Sequence, residues 1–253
     1  MKKALGVGLT LGLILTAGLT ELCQGAIADS PETKLTITIH VYDYAKVSPK
    51  ALVKAERVAA GIFRKADVEI RWIDQHVNSE DKQENSNNQE SFRASDILLN
   101  ILTGSMTESF GLPAGRMGLV PGVGRDRQQV YVLYHRAEEL ARQDGEARQQ
   151  EALRGVYGRH ADMAEILGHV IAHELGHLLG LESHSPSGIM RADWNSADLR
   201  DAACGQLRFT IQQAEIIRAE IRRRIEQQQT VQQQDGTALK LRAEQNGVQR
   251  KRN

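Results

Sequence analysis

From Lys34 to Tyr44 the chain reads KLTITIHVYDY, which sets Leu35, Ile37, Ile39 and Val41 against Thr36, Thr38, His40 and Tyr42. That alternation has the period of a strand with one buried face. Ser48 and Pro49 then suit the cap and first position of a helix, whose apolar face is Leu52, Val53, Val58, Ile62 and Phe63. DVEIRWID, from Asp67 to Asp74, is a second strand. Strand, helix and strand in this order imply a crossover unit with parallel pairing. DILLNILT (96–103) is apolar enough to be a central strand, and QQVYVLYH (128–135) is a fourth. The polar, aperiodic residues from Gln75 to Arg93 predict a long exposed loop. The glycine-rich connection after Thr103 predicts another, because Gly122-x-Gly124 lacks the Gly-Lys-Ser/Thr and the following helix of a phosphate loop.

The second half turns helical. A helical segment starts near Arg136, is expected to break around Asp144-Gly145, and resumes as far as Tyr157-Gly158. From Ala161 the pattern is helical again, with Ile166, Val170, His173 and His177 spaced by three or four residues. After Gly180 an irregular segment is expected until Thr210, where Thr210 and Gln213 form a capping box for a last helix. Its apolar stripe is Ile211, Ala214, Ile217, Ile221 and Ile225. Beyond Gln227 the chain is glutamine-rich and then basic, so residues 228–253 are expected to be a disordered tail. The order of elements predicts an α/β class.

Composition narrows the context. A 253-residue chain with 41% hydrophobic and 25% charged residues suits one substantial core, and its zero formal charge offers no field for nucleic acid. Lys2 and Lys3, the uncharged run from Ala4 to Thr20, and Ala26-Ile27-Ala28 predict a signal peptide over residues 1–28. The expectation is export, secreted or periplasmic, with no stable membrane insertion after cleavage. The main domain is then 29–227. Cys23 leaves with the signal, and Cys204 remains as a small core residue.

The candidate chemistry lies in AHELGHLLGLESHSPSGIM, residues 172–190. On a helix His173 and His177 stand one turn apart, close enough for both imidazoles to reach one zinc ion. Glu174 projects about 100 degrees around the axis, beside such an ion without binding it. A carboxylate there can take a proton from water and pass it to a leaving amine. The plainer alternative is a helix with two surface histidines. Against it stand Gly180, which can end the helix with a positive φ, and then a third histidine and a methionine in order.

This segment resembles the active site of the metzincin clan of zinc endopeptidases, and most closely its matrixin-type members. The clan pattern is His-Glu-x-x-His-x-x-Gly-x-x-His followed by a methionine in a tight turn. His173, Glu174, His177 and Gly180 match it position for position, and Met190 resembles the supporting Met-turn methionine. Ser183 occupies the third-ligand position, with His184 one residue later. Glu182, Ser183 and His184 are the candidates for the third ligand. Imidazole completes the family's set, so His184 is preferred with Glu182 as the alternative.

The resemblance implies a metzincin-like domain: a twisted mixed sheet with an antiparallel edge strand, a backing helix, an active-site helix, and an irregular C-terminal subdomain ending in a helix. The strand before the active-site helix, here QQVYVLYH, would line the cleft and pair with an extended peptide or protein substrate. The implied function is zinc-dependent hydrolysis of peptide bonds with Glu174 as general base. A secreted zinc-binding module without turnover, or a hydrolase of a non-protein amide, are the alternatives. Matrixin zymogens block the zinc with a propeptide cysteine; the few residues between Ala28 and the first strand hold none, so narrow specificity or outside restraint is expected. His169 is expected in a supporting or surface role. His40, His76, His135 and His160 have no partner at ligand spacing, and Trp194 and Tyr157 read as core or cleft-wall aromatics.

Overall fold

The computed structural model describes residues 35–75, 93, 95–112, 115–122 and 127–250, with backbone alone for 232 and 234–250. The predicted signal peptide, His76 and most of the predicted 75–93 loop lie outside these residues. The elements in chain order are β1 (Leu35–Asp43), α1 (Pro49–Arg64), β2 (Val68–Gln75), β3 (Ile97–Leu102), α2 (Gly104–Ser109), β4 (Gly118–Leu119), β5 (Gln129–Leu133), α3 (Tyr134–Leu153), α4 (Met163–Leu178), α5 (Ser196–Ala203) and α6 (Ile211–Arg250).

The fold is α/β. Its five strands take the order β2-β1-β3-β5-β4, parallel except for β4, which runs antiparallel to β5. The β1–α1–β2 unit is the crossover that the sequence predicts, with Ile39 level with both Trp72 and Ile97. Ile37, Ile39 and Val41 are buried as the alternation requires. His40, on the other face, is buried as well, bonded to Asp96 at 3.3 Å and Gln75 at 3.1 Å. A strand with parallel neighbours on both sides is covered on both faces, so its polar positions need partners.

Helix α1 starts at Pro49, and Ser48 Oγ accepts from the Ala51 amide. It packs on α4 more extensively than on any other helix. The crossing is close because Gly168 of α4 has no side chain: a Cβ there would lie 2.5 Å from the Ala55 carbonyl oxygen and 2.7 Å from Val58 Cβ. Val53, expected on the apolar face, is exposed, and Ala55, Glu56 and Ala59 are buried in that face instead.

Several expectations need correction. The sheet has five strands, and the antiparallel edge strand is β4, inside the glycine-rich connection; β5 is flanked by β3 and β4. A two-residue strand has no periodicity to read, and it exists because Gly118 pairs with Val132 and Leu119 with Tyr131. Strand β5 ends at Leu133, so Tyr134 and His135 open α3. Helix α3 runs unbroken through Asp144-Gly145. Mid-helix glycine costs about 1 kcal/mol, and here Asp144 is buried and bonded to His160 at 3.2 Å. The segment after Gly180 contains α5, capped by Asn195 and Asp198. Residues 228–250, expected to be disordered, continue α6, consistent with their many strong helix formers.

The Thr210–Gln213 capping box is present, with bonds of 2.9 and 3.2 Å. Ala214, Ile217 and Ile221 dock as the stripe predicts, and Ile225 is half-buried, but Ile211 is exposed. Cys204 is exposed, contrary to its expected core position, and Tyr157, expected in the core or on a cleft wall, is exposed and so not in the core. Cys204 falls at the end of α5, where the chain turns out to Gly205.

Candidate metal centre

Helix α4 is held at both ends. Asp162 caps it and forms a capping box with Glu165, and Lys54 of α1 pairs with Asp162. At the other end Gly180 adopts φ +98°, a conformation that favours glycine, and turns the chain back toward the helix. Fourteen of the sixteen α4 residues are buried, among them His173 and Glu174. The returning segment is fastened by the Ser185 amide, which donates to Met190 O at 2.8 Å.

This arrangement brings His173, His177 and His184 together, with their candidate ligand atoms all within 4.8 Å of one another. Glu182 is exposed and is not part of the group. His173 Nε2 lies 3.1 Å from His177 Nε2, which lies 3.3 Å from His184 Nε2. The other ring nitrogens settle the tautomers. His173 Nδ1 donates to Ile189 O at 2.7 Å, and His177 Nδ1 donates to Leu181 O at 2.6 Å. Each neutral ring then points an Nε2 lone pair at the other, which is repulsive without a positive charge between them. A proton is a poor candidate for that charge: burial drives the His173 pKa down to about 3, aided by the neighbouring His177 and His184, and burial lowers His177 as well.

A metal ion fits. Nitrogen ligands at 2.0 to 2.1 Å in a tetrahedron are about 3.3 to 3.4 Å apart, close to the two separations found. The three-histidine donor set, with both helical imidazoles oriented by carbonyl acceptors, is one that zinc accepts.

Around this group Glu174 is buried, with Oε1 3.9 Å from His173 Nε2. Burial raises its pKa to about 8, opposed by the charge of Arg116. The carboxylate packs against the edge strand: a Cβ at Gly118 would stand 2.7 Å from Glu174 Cδ and 2.1 Å from Tyr131 O. Met190 is fully buried, with its sulfur where a Cβ on Gly176 would come within 2.9 Å. Trp194 is a buried wall, its ring centroid 5.9 Å from that of His173 and its Nε1 donating to Ile189 O at 3.2 Å.

The remaining histidines among the described residues stay apart. His169 is buried, not on the surface, with Nδ1 bonded to Glu165 O at 2.7 Å. His160 sits between Asp144 and Glu151, and His40 pairs with Asp96. His135 is outside the group. Gly118, Arg116 and the carbonyls of Leu181 and Ile189 are contributors that sequence reasoning missed. The carbonyls carry no side-chain signal, and the closeness of Gly118 to Glu174 exists only once β4 has paired. Comparison of the chain with known family models and with curated proteins finds no match.

Proposed function

We propose that the chain is an exported zinc-dependent endopeptidase of the metzincin type, in which His173, His177 and His184 hold the ion, Glu174 is the general base and Met190 supports the site from below. The observation that carries this reading is the convergence of three imidazoles beside a buried carboxylate that is not one of them. A closed structural site gains nothing from such a carboxylate and normally recruits a fourth protein ligand. Among the described residues the only candidate metal group is the three histidines.

Bound zinc supplies Lewis acidity toward a carbonyl oxygen and makes water ionise near neutral pH. The chain's own groups do the rest. Glu174 accepts the proton of the attacking water and returns it to the leaving amine. Its pKa near 8 keeps it protonated at neutral pH in the metal-free protein, and a nearby cation lowers the pKa of a carboxylate, so its competence as a base depends on occupancy. Ile189 O and Leu181 O hold the imidazoles in the ligating tautomer.

The cleft strand is β4 in this reading, not QQVYVLYH. It ends the sheet, its outer edge has no strand partner among the described residues, and its Gly118 adjoins Glu174. An extended peptide can add there through main-chain hydrogen bonds. No helix among the described residues is long and apolar enough to cross a membrane. The test is turnover of a peptide library by wild type and Glu174→Ala at equal zinc occupancy, with a chelator control. Cleavage abolished by both the substitution and the chelator supports the proposal; cleavage indifferent to Glu174→Ala sinks it, and absence of cleavage across diverse peptides moves the reading to a binding module.

A further inference from the structure

At the end of α3 the chain makes a projecting turn. Every residue from Ala152 to Arg159 is exposed, and a Cβ at Gly155 or Gly158 would meet no atom within 4 Å. Three large apolar side chains stand on it: Leu153 is 85% exposed, Val156 54% and Tyr157 86%. A single exposed apolar residue needs no explanation, but three within five positions of one ordered turn do. The turn is fixed. Gly155, at φ +74°, ends the helix; its amide donates to Ala152 O at 3.0 Å, and the Val156 amide donates to Glu151 O at 2.9 Å. His160 closes the base, with Nδ1 3.2 Å from Asp144 and Nε2 3.3 Å from Glu151. A tip held in this way loses little conformational freedom when its side chains are taken up by a partner.

The charge along this stretch is one-sided. Of the carboxylates between positions 146 and 165, Glu146 pairs with Arg142, Glu151 with Arg200, Asp162 with Lys54 and Glu165 with Arg159. Arg148 and Arg154 are exposed and have no ion pair or side-chain hydrogen bond among the described residues. The turn and the helix end that carries it thus offer three apolar side chains and two uncommitted cations, with no uncommitted anion in the same stretch.

We infer that this turn is a peripheral docking site for an anionic lipid surface, with Leu153, Val156 and Tyr157 entering the boundary between head groups and acyl chains and Arg148 and Arg154 lying against lipid phosphates. Tyrosine suits that boundary, because its ring is apolar while its hydroxyl stays in water. Each arginine held near an anionic surface strengthens binding by about fivefold. Size decides for lipid over protein: a specific protein interface takes roughly 20 to 30 residues a side, whereas a bilayer accepts a small projecting tip without a matching pocket. Three side chains and two charges make a reversible contact. It involves none of the three histidines and does not depend on what reaction they perform.

The experiment is hydrogen exchange on the full-length zinc-loaded protein, alone, with vesicles of phosphatidylcholine, and with vesicles of equal parts phosphatidylcholine and phosphatidylglycerol. Reading the exchange of residues 152–159 separates this contact from lipid binding through any other part of the chain. Exchange there should slow with the anionic vesicles and much less with the neutral ones. Leu153→Asp combined with Tyr157→Asp, both at exposed positions, should abolish the protection. Arg154→Gln should raise the lipid concentration needed for half the protection by about fivefold. Exchange at 152–159 that anionic vesicles leave unchanged overturns the inference, whether the protein stays in solution or binds through another segment. Protection that is equal on neutral vesicles, or that survives the double substitution, overturns it as well.

Discussion

His173 and His177 are carried one turn apart on a helix of which fourteen of sixteen residues are buried, whereas His184 comes from an exposed position on the segment between Gly180 and Met190. The helical pair is positioned by backbone periodicity, a capping box and the α1 crossing at Gly168. The loop-borne ligand depends on a positive φ at Gly180, the Ser185–Met190 backbone bond, and the burial of Met190, which anchors the far end of the segment. A helix tolerates no insertion between its ligands, since one residue rotates the next side chain by about 100 degrees. A returning loop absorbs an extra residue by widening its turn. That difference explains how His184 joins the group although it stands one position later than the metzincin pattern has it.

The predictions test this division. The largest effect belongs to the helical half: Glu174→Ala should keep the metal and lower turnover by about 10² to 10⁴-fold, the range for general acid–base groups. Metal occupancy and rate measured on the same preparation check it.

The next effect is on the metal-free protein and comes from two buried groups with opposite signs. Between its ordinary value of 6.5 and about 3, His173 is protonated when unfolded and neutral when folded, so stability falls as pH falls through that window. Between its ordinary value of 4.5 and about 8, Glu174 is protonated when folded and ionised when unfolded, so stability falls as pH rises. From these groups the metal-free protein should show a plateau where the windows overlap, from 4.5 to 6.5, and lose stability on either side. Saturating zinc should flatten the alkaline limb, because a cation favours the ionised carboxylate. Denaturation curves against pH, with and without metal, check this, and identical alkaline limbs would contradict it.

His184→Ala and His177→Ala should each reduce zinc affinity by at least the roughly 10- to 100-fold associated with losing a supporting partner of a ligand. Glu182→Ala should leave affinity unchanged. Competition with a chromogenic chelator ranks the three variants, and a larger loss in the glutamate variant would reassign the third ligand.

Two glycines then separate the halves by stability. Gly168→Ala places a methyl 2.5 Å from the Ala55 carbonyl, which forces α1 and α4 apart, and overpacking of this kind costs about 1 to 3 kcal/mol. Thermal unfolding should show that loss with zinc affinity retained. Gly180→Ala forces a side chain into a left-handed conformation at about 1 to 2 kcal/mol, in a place where Ile216 Cγ2 is 3.2 Å away. It should lower both stability and zinc affinity, since the loop that delivers His184 starts there.

Sequence by itself determined the parts whose cause is local. Alternation over Leu35–Val41, the Ser48-Pro49 start, the Thr210–Gln213 box and the helical spacing of His173 with His177 each follow from neighbours a few residues apart, and each is where it was expected. Tertiary structure decided the rest. Strand β4 exists through pairing with β5, Asp144-Gly145 stays helical around a buried aspartate that meets His160, and Glu174 becomes buried because Gly118 leaves room for it. The same holds for the two imidazoles a turn apart on α4. Identical in type and both buried, His173 and His169 differ because the returning loop brings His184 to the first and not to the second. That outcome depends on which distant residues arrive beside each ring, and local periodicity carries no record of them.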